Sequence, residues 1–353
     1  MIRNDQRSAA LPDTPSAGTS VAIAPGVRWI RMPLPFVLDH VNLWAIDDDE
    51  GWAIVDTGIQ HPMVIAAWDS LLAGDLEGRP VTRLILTHMH PDHAGLAGWF
   101  VDRFGCDLWM TRTEYLTARS LAGRTGAEPV LGTHDFYRKA GWKPEEIAAN
   151  LERRTSMARL YAPFPDSYRR LIDRQELVIG GRRWHVIAGG GHTPEHACLE
   201  CPELDLLISG DKVLPGISSN ISVDAAEPDA DPLAEWFDTL SKLRSRVSDR
   251  VTVLPSHKRC FTGLHARIDA LIAEQRDALT RLEEALASPR RIVDLFEVLF
   301  RRPIDHEDLS SFSLATGEAA ALLAYLRGTR RIEARVGEAG ALFYQTAAKA
   351  GRV

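Results

Sequence analysis

The chain has 353 residues, enough for two domains, with 45% hydrophobic and 25% charged side chains, the balance of an ordinary globular protein. A net charge of −7 argues against a general nucleic-acid binder and gives no attraction to an anionic membrane. With no long apolar run and no N-terminal apolar segment before a cleavage site, the expected location is cytoplasmic, and four cysteines do not make a disulfide framework.

Residues 1–20 are rich in Ser, Thr, Pro, Ala and Asp and read as a disordered tail. Val27–Met32, Val41–Ile46 and Trp52–Val55 read as successive strands, the last two joined by the turn Asp47-Asp48-Asp49-Glu50-Gly51. The third strand ends in Asp56-Thr57-Gly58. A helix from Met63 to Leu72, opened by Pro62, leads into the β-branched, apolar run Val81–Leu86, a buried strand. That strand stops at His88-Met89-His90-Pro91-Asp92-His93, and a helix follows, ending near Gly105. Three imidazoles and a carboxylate therefore sit at a strand end, where open α/β folds place their sites. Neutral imidazole and carboxylate are the ligands that suit zinc and similar divalent metals.

Cys106–Met110 is a further strand, and Thr111-Arg112-Thr113-Glu114 has the spacing of a capping box opening a helix to about Leu121. Residues 123–174 break the strand–helix rhythm. They hold a helical stretch, Pro144 to about Met157, among the aromatics Phe136, Tyr137, Trp142, Tyr161, Phe164 and Tyr168. Two readings stay open: a lid or pocket wall, and a helical hairpin packing its aromatics on the core. Glu176–Ile179 and Arg183–Ile187, joined by Gly180-Gly181, form a hairpin that runs into Gly189-Gly190-Gly191-His192, where the glycines allow a sharp turn. Cys198 and Cys201 have C-x-x-C spacing but lie in a strand with no second pair, and read as buried or edge thiols. Leu204–Ser209 ends in Gly210-Asp211-Lys212, and Val251–Leu254 ends in Pro255-Ser256-His257-Lys258. Five strand ends thus carry Asp56, the His88–His93 cluster, His192, Asp211 and His257.

The carboxy-terminal part, residues 264–353, differs. Leu264, Ile268, Leu271, Ile272, Leu279, Leu282 and Leu286 have helical spacing. Ser288-Pro289 reads as an N-cap and N1 proline opening a helix through Phe300. Leu314–Leu326 is a third helix stopped by Gly328, and Arg331–Val336 with Ala341–Thr346 a terminal hairpin. Helices followed by a hairpin suggest a small winged-helix-like unit. Its slight basic excess is too weak for nucleic-acid binding, which leaves packing or homodimerisation.

The ordered motifs, from His-x-His-x-Asp-His after an apolar strand to His192, Asp211 and His257, resemble the metallo-β-lactamase fold superfamily over roughly Val41 to His257. The nearest type is the glyoxalase-II-like hydrolases with a winged-helix-like C-terminal domain. The resemblance implies an α/β fold, an αββα sandwich over residues 21–263 with a dinuclear metal site, followed by the helical C-terminal domain at 264–353. It implies that His88, His90 and His192 hold one ion, that Asp92, His93 and His257 hold a second, that Asp211 bridges them, and that Asp56 orients ligands by hydrogen bonds. The sequence departs from the pattern where His257 sits between Ser256 and Lys258 rather than glycines, and where Glu195 stands for a common Gly.

The implied activity is that of a dinuclear hydrolase with two Zn2+ (Fe or Mn in similar sites). A bridging hydroxide attacks the carbonyl carbon of a small-molecule thioester, ester or lactone. Asp92 orients that hydroxide or takes up its proton, and Asn220, on the loop after Asp211, is either a donor to substrate or an ordinary loop residue. His196 reads as a hydrogen-bonding residue beside the ligands. His40, His61, His134, His185, His265 and His306 read as structural or exposed, and Lys258 as a surface residue. Two alternatives are a metal-dependent phosphodiesterase or small endoribonuclease, and a nucleic-acid-binding regulator with a structural metal. The gap between Asp211 and His257 is too short for the inserted nuclease domain of the RNA-processing branch.

Overall fold

The computed structural model describes residues 11–123, 131–300 and 303–347. The first ten residues of the expected tail and residues 124–130 of the 123–174 segment lie outside them. Strands β1 (Thr19–Ala24), β2 (Val27–Pro33), β3 (His40–Asp48) and β4 (Gly51–Val55) form an antiparallel meander. Helix α1 (Pro62–Ala73) leads to β5 (Val81–Ile85), parallel to β4. Helices α2 (Pro91–Ala94) and α3 (Ala97–Phe104) lead to β6 (Asp107–Met110), parallel to β5. Helices α4 (Arg112–Ala122), α5 (Leu131–Ala140) and α6 (Pro144–Ser156) precede β7 (Arg169–Arg170), which completes a seven-stranded sheet in sequence order.

The second sheet has the order β12-β11-β10-β9-β8. It is built from β8 (Glu176–Ile179), β9 (Arg182–Gly189), β10 (His196–Cys201) and β11 (Leu206–Gly210), then, after α7 (Pro232–Arg246), β12 (Thr252–Pro255). There follow α8 (Leu264–Ala285), α9 (Phe296–Leu299), α10 (Leu309–Gly328) and the hairpin of β13 (Ile332–Val336) with β14 (Leu342–Thr346).

The central strands of both sheets are buried on both faces, and alternate residues enter different cores, as strands covered on both sides must. Trp29, Trp44, Val55 and Ile85 of the first sheet meet Trp184, Val186, Leu199 and Ile208 of the second. On the outer face of the first sheet, Ile30, Leu43, Ile54 and Leu84 pack with Trp68 of α1 and Phe100 of α3. On the outer face of the second, Ile187, Leu207 and Val253 pack with Leu240 of α7, Ile268 of α8 and Phe312 of α10. This is the expected mixed α/β sandwich with helices on both outer faces, and the C-terminal helices share a core with the second sheet. Helix α10 is long and apolar enough to cross a membrane, yet Phe312, Ala315, Ala319, Leu322, Leu323 and Leu326 bury its length in that core.

Three local expectations change. Strand β1 begins at Thr19, within the segment read as a tail; its short, half-exposed apolar run at a sheet edge carries little pattern. The helix expected from Pro289 does not start there, because Arg290 pairs its backbone with Tyr344 of β14. A 3-10 turn at Ile292–Leu295 and α9 follow instead. The helix after the histidine cluster is divided into α2 and α3 around Gly95-Leu96, where Ala162 N donates to Gly95 O at 2.6 Å. In the 123–174 segment the aromatics turn inward. Trp142 lies 4.5 Å from Phe312 between ring centroids, and its Nε1 donates to Thr316 Oγ1 at 2.9 Å. Tyr161 donates its hydroxyl to Met89 O at 2.6 Å, against the histidine loop.

Candidate metal centre

Strands β4 and β5 run parallel in one sheet, and β9, β11 and β12 point one way in the other. Their C-terminal ends therefore share one edge of the sandwich. At that edge lie Asp56, His88 to His93, His192, Asp211 and His257, brought together from five loops. Side chains within 4.8 Å of one another form three groups: His88, His90 and His192; His88, His93 and Asp211; and Asp92, His93 and His257.

Four of the imidazoles are aimed by the hydrogen bond of their Nδ1. His192 Nδ1 donates to Asn220 O at 2.7 Å, and His257 Nδ1 to His40 O at 3.0 Å. His93 Nδ1 donates to Asp56 Oδ2 at 2.8 Å. Thr87 gives its hydroxyl proton to Asp56 Oδ2 at 2.7 Å, so His88 Nδ1, 3.0 Å from Thr87 Oγ1, must be the donor in that contact. Four histidines are thereby oriented with Nε2 facing the centre. Asp56 is the hub of this arrangement: it adopts a left-handed backbone (φ 62) and also accepts Thr87 N at 2.8 Å.

The donor atoms are spaced for cations. Asp92 Oδ2 lies 3.5 Å from His93 Nε2 and 3.6 Å from His257 Nε2; Asp211 Oδ1 lies 3.7 and 3.4 Å from the same two nitrogens. These separations are long for hydrogen bonds, but two donors each about 2.1 Å from a tetrahedral ion stand about 3.4 Å apart. The other oxygen of Asp211, Oδ2, faces His192 Nε2 at 3.5 Å, so this carboxylate reaches toward both histidine sets. His93 Nε2, His192 Nε2 and Asp211 Oδ1 are buried with no hydrogen-bond partner, a costly state for polar atoms unless something else binds them. The donor set therefore fits divalent cations.

Electrostatics divide the cluster. Burial holds His88 well below its ordinary value, with His93 and His90 adding to the effect, and burial pushes His192 down to about 3. Burial also opposes charge on His93, but Asp92, Asp211 and Asp56 outweigh it and hold that pKa well above normal. His257 is raised, against burial, by Asp211 and Asp92. Asp92 and Asp211 stay below the usual carboxylate range despite burial, through His93 and His257. The negative charge is thus that of the carboxylates around His93 and His257, and a cation placed among them would meet the same field.

Other residues that hold the site were not among the sequence candidates. Glu114 of α4, 0% exposed, accepts Met89 N at 2.9 Å and Glu195 N at 2.7 Å. It ties the two histidine loops together instead of closing a capping box; Thr111 Oγ1 donates to Glu195 O at 2.7 Å. Lys212 is fully buried, and its Nζ donates to Gly189 O at 3.1 Å and Gly190 O at 2.8 Å, locking the turn before His192. Burial pushes its pKa down to about 8. His40, read as structural or exposed, is buried and holds His257 through its carbonyl. His196 has the expected supporting place, its Nε2 accepting Asp211 N at 3.1 Å. Gly210 (φ 53) permits this, since a Cβ there would lie 2.4 Å from His196 Nε2. Asn220, expected as a substrate donor or an ordinary loop residue, has its side chain among protein neighbours. Its Nδ2 donates to Glu318 Oε2 at 3.2 Å, and its Oδ1 accepts from Ser222 Oγ. The side chain meets these neighbours with its oxygen and one of its two N–H donors, and the backbone carbonyl serves His192. Lys258 is exposed, and all four cysteines are buried, free thiols.

Residues 37–257 match the model of the metallo-beta-lactamase superfamily, and residues 279–347 that of the metallo-beta-lactamase-like C-terminal domain. A solved beta-lactamase domain protein from Burkholderia ambifaria is 37% identical with a TM-score of 0.86; the match covers 95% of this chain and 96% of that one. A probable metallo-hydrolase of Bacillus subtilis (strain 168) is 23% identical over 263 residues, 70% of this chain and 76% of that protein. An atrochrysone carboxyl ACP thioesterase of Aspergillus novofumigatus is 22% identical over 259 residues, 72% of this chain and 61% of that protein.

Proposed function

The chain belongs to the metallo-beta-lactamase superfamily, a metallo-hydrolase family, and from that premise we propose that it is a dinuclear hydrolase of a small-molecule thioester, ester or lactone. The observation that carries the two-ion reading is Asp211, whose Oδ2 faces His192 while its Oδ1 faces His93 and His257. His88, His90 and His192 would hold one divalent cation, and Asp92, His93 and His257 the other, with Asp211 between them. Zinc suits this nitrogen and oxygen set, as iron or manganese would. Bound there, such cations supply Lewis acidity and bring the pKa of coordinated water toward 7.

The chain's own residues do the rest. Asp56 and Thr87 hold His93 and His88 in the tautomers that present Nε2. Asp92, with 22% of its side chain exposed against 10% for Asp211, is the more accessible carboxylate and the one we assign to accept the proton that an attacking water gives up. Glu114 and Lys212 keep the two histidine loops at their spacing. The acyl class is supported by the thioesterase relative and by the chain's negative charge, which repels polyanionic substrates.

The test is turnover of an acyl thioester against a bis-aryl phosphodiester, each with and without chelator. Thioester cleavage that chelator abolishes and zinc restores supports the proposal. Cleavage of the phosphodiester alone would overturn the acyl assignment.

A further inference from the structure

The loop 219–223 connects the metal centre to the C-terminal helix. On its inner side, Ser219 Oγ donates to Asp211 O, and Asn220 O accepts His192 Nδ1 at 2.7 Å. Two candidate ligands therefore lean on this loop. On its outer side it is fastened to α10 at consecutive residues. Val223 N donates to Gly317 O at 3.1 Å, and Asn220 Nδ2 donates to Glu318 Oε2 at 3.2 Å. A Cβ at Gly317 would meet Ser222 Cβ and Oγ at 2.8 Å and Val223 O at 3.1 Å, so the helix and loop touch only because residue 317 has no side chain. Thr316, one residue earlier, accepts Trp142 Nε1, which fixes the same turn of α10 against the 123–174 segment.

We propose that α10 is a working part of the metal centre: Gly317 and Glu318 hold the Asn220 carbonyl against His192 and so orient one metal ligand from the C-terminal domain. The inference rests on the metal centre proposed above and assigns that domain a role in building it. The hydrogen bond from His192 Nδ1 sets the ring plane and keeps the Nε2 lone pair inward. If Asn220 is released from Glu318, its peptide gains freedom, and His192 loses the fixed acceptor that aims it. Glu318 and Asn220 are thus positioning residues.

The experiment titrates zinc into the full-length, metal-stripped protein in competition with a chromophoric chelator, comparing wild type with Glu318→Ala, Glu318→Gln and Asn220→Ser. Glu318→Ala and Asn220→Ser should weaken one of two zinc equivalents by about 10- to 100-fold, the range for partners that orient a ligand, and leave the other as it is. Glu318→Gln keeps an oxygen that accepts from Asn220 and should bind like wild type. Circular dichroism shows whether each variant is folded, and Asn220→Ser decides the matter if Glu318→Ala is not. Wild-type binding of two equivalents with unchanged affinity in a folded Glu318→Ala or Asn220→Ser overturns this inference alone. Wild-type protein that takes up no zinc overturns it together with the proposed function.

Discussion

Glu114→Gln isolates the contact that spaces the two histidine loops. The carboxylate accepts two backbone N–H groups, from Met89 and from Glu195, in a place with no solvent. Glutamine keeps the shape, but only its oxygen accepts; its NH2 faces the second N–H, donor against donor. The loss is one charge-assisted hydrogen bond, with a buried N–H left unpaired, about 2–3 kcal/mol. An opposing gain is that a neutral amide escapes the burial cost that raises the Glu114 pKa above its ordinary value. The net expected destabilisation is about 2 kcal/mol, or roughly 30-fold in the ratio of folded to unfolded protein. Urea unfolding in the presence of chelator reads this without any contribution from metal. Zinc titration of the same variant should then show weaker binding, because His88 and His90 on one loop and His192 on the other no longer keep their separation. Stability within about 0.5 kcal/mol of wild type, together with unchanged zinc affinity, would refute the claim that Glu114 clips the loops.

Two further outcomes follow from buried charges. Burial raises Glu318 from its ordinary 4.5 to about 7, so between those values the folded chain holds a proton that the unfolded chain has lost. That lowers stability as pH rises through the window, by at most about 3 kcal/mol. Glu318→Gln should therefore become progressively more stable than wild type as pH rises from 4.5 to 7, measured by urea unfolding at several pH values; a difference independent of pH would contradict it. Lys212→Met removes the ammonium that lies over the Trp236 ring and donates to the carbonyls of Gly189 and Gly190, of which Gly190 O keeps only Thr239 Oγ1. It should cost about 2–4 kcal/mol, and a melting temperature equal to wild type would show that the ammonium is not needed.

The candidate ligand positions could be picked out because each lies just past a strand whose apolar run defines its end. Asp56, Asp211 and His257 needed only that rule, and the crossing of parallel strands brings such ends to one edge. Glu114 was misread because its spacing from Thr111 matches a local capping pattern, whereas its partners are backbone groups from loops distant in the chain. Lys212 and His40 carry no local sign of their burial, which comes from the packing of both sheets. At Pro289 the helix-start signature was overridden by pairing between Arg290 and Tyr344, a contact across the C-terminal domain that local sequence does not encode. Asn220 sits on the loop where a substrate donor was expected, but the proximity of α10 redirects its side chain, and no pattern in the loop itself announces that neighbour.

The central claim is that Asp211 links two cation sites. Metal content per chain, measured by mass spectrometry on zinc-reconstituted wild type and Asp211→Ala, tests it directly. The account predicts about two zinc ions in wild type and no more than about one in the variant, with hydrolysis lost. Metal-free wild type with full activity, or a variant that still holds both ions and turns over normally, would contradict it.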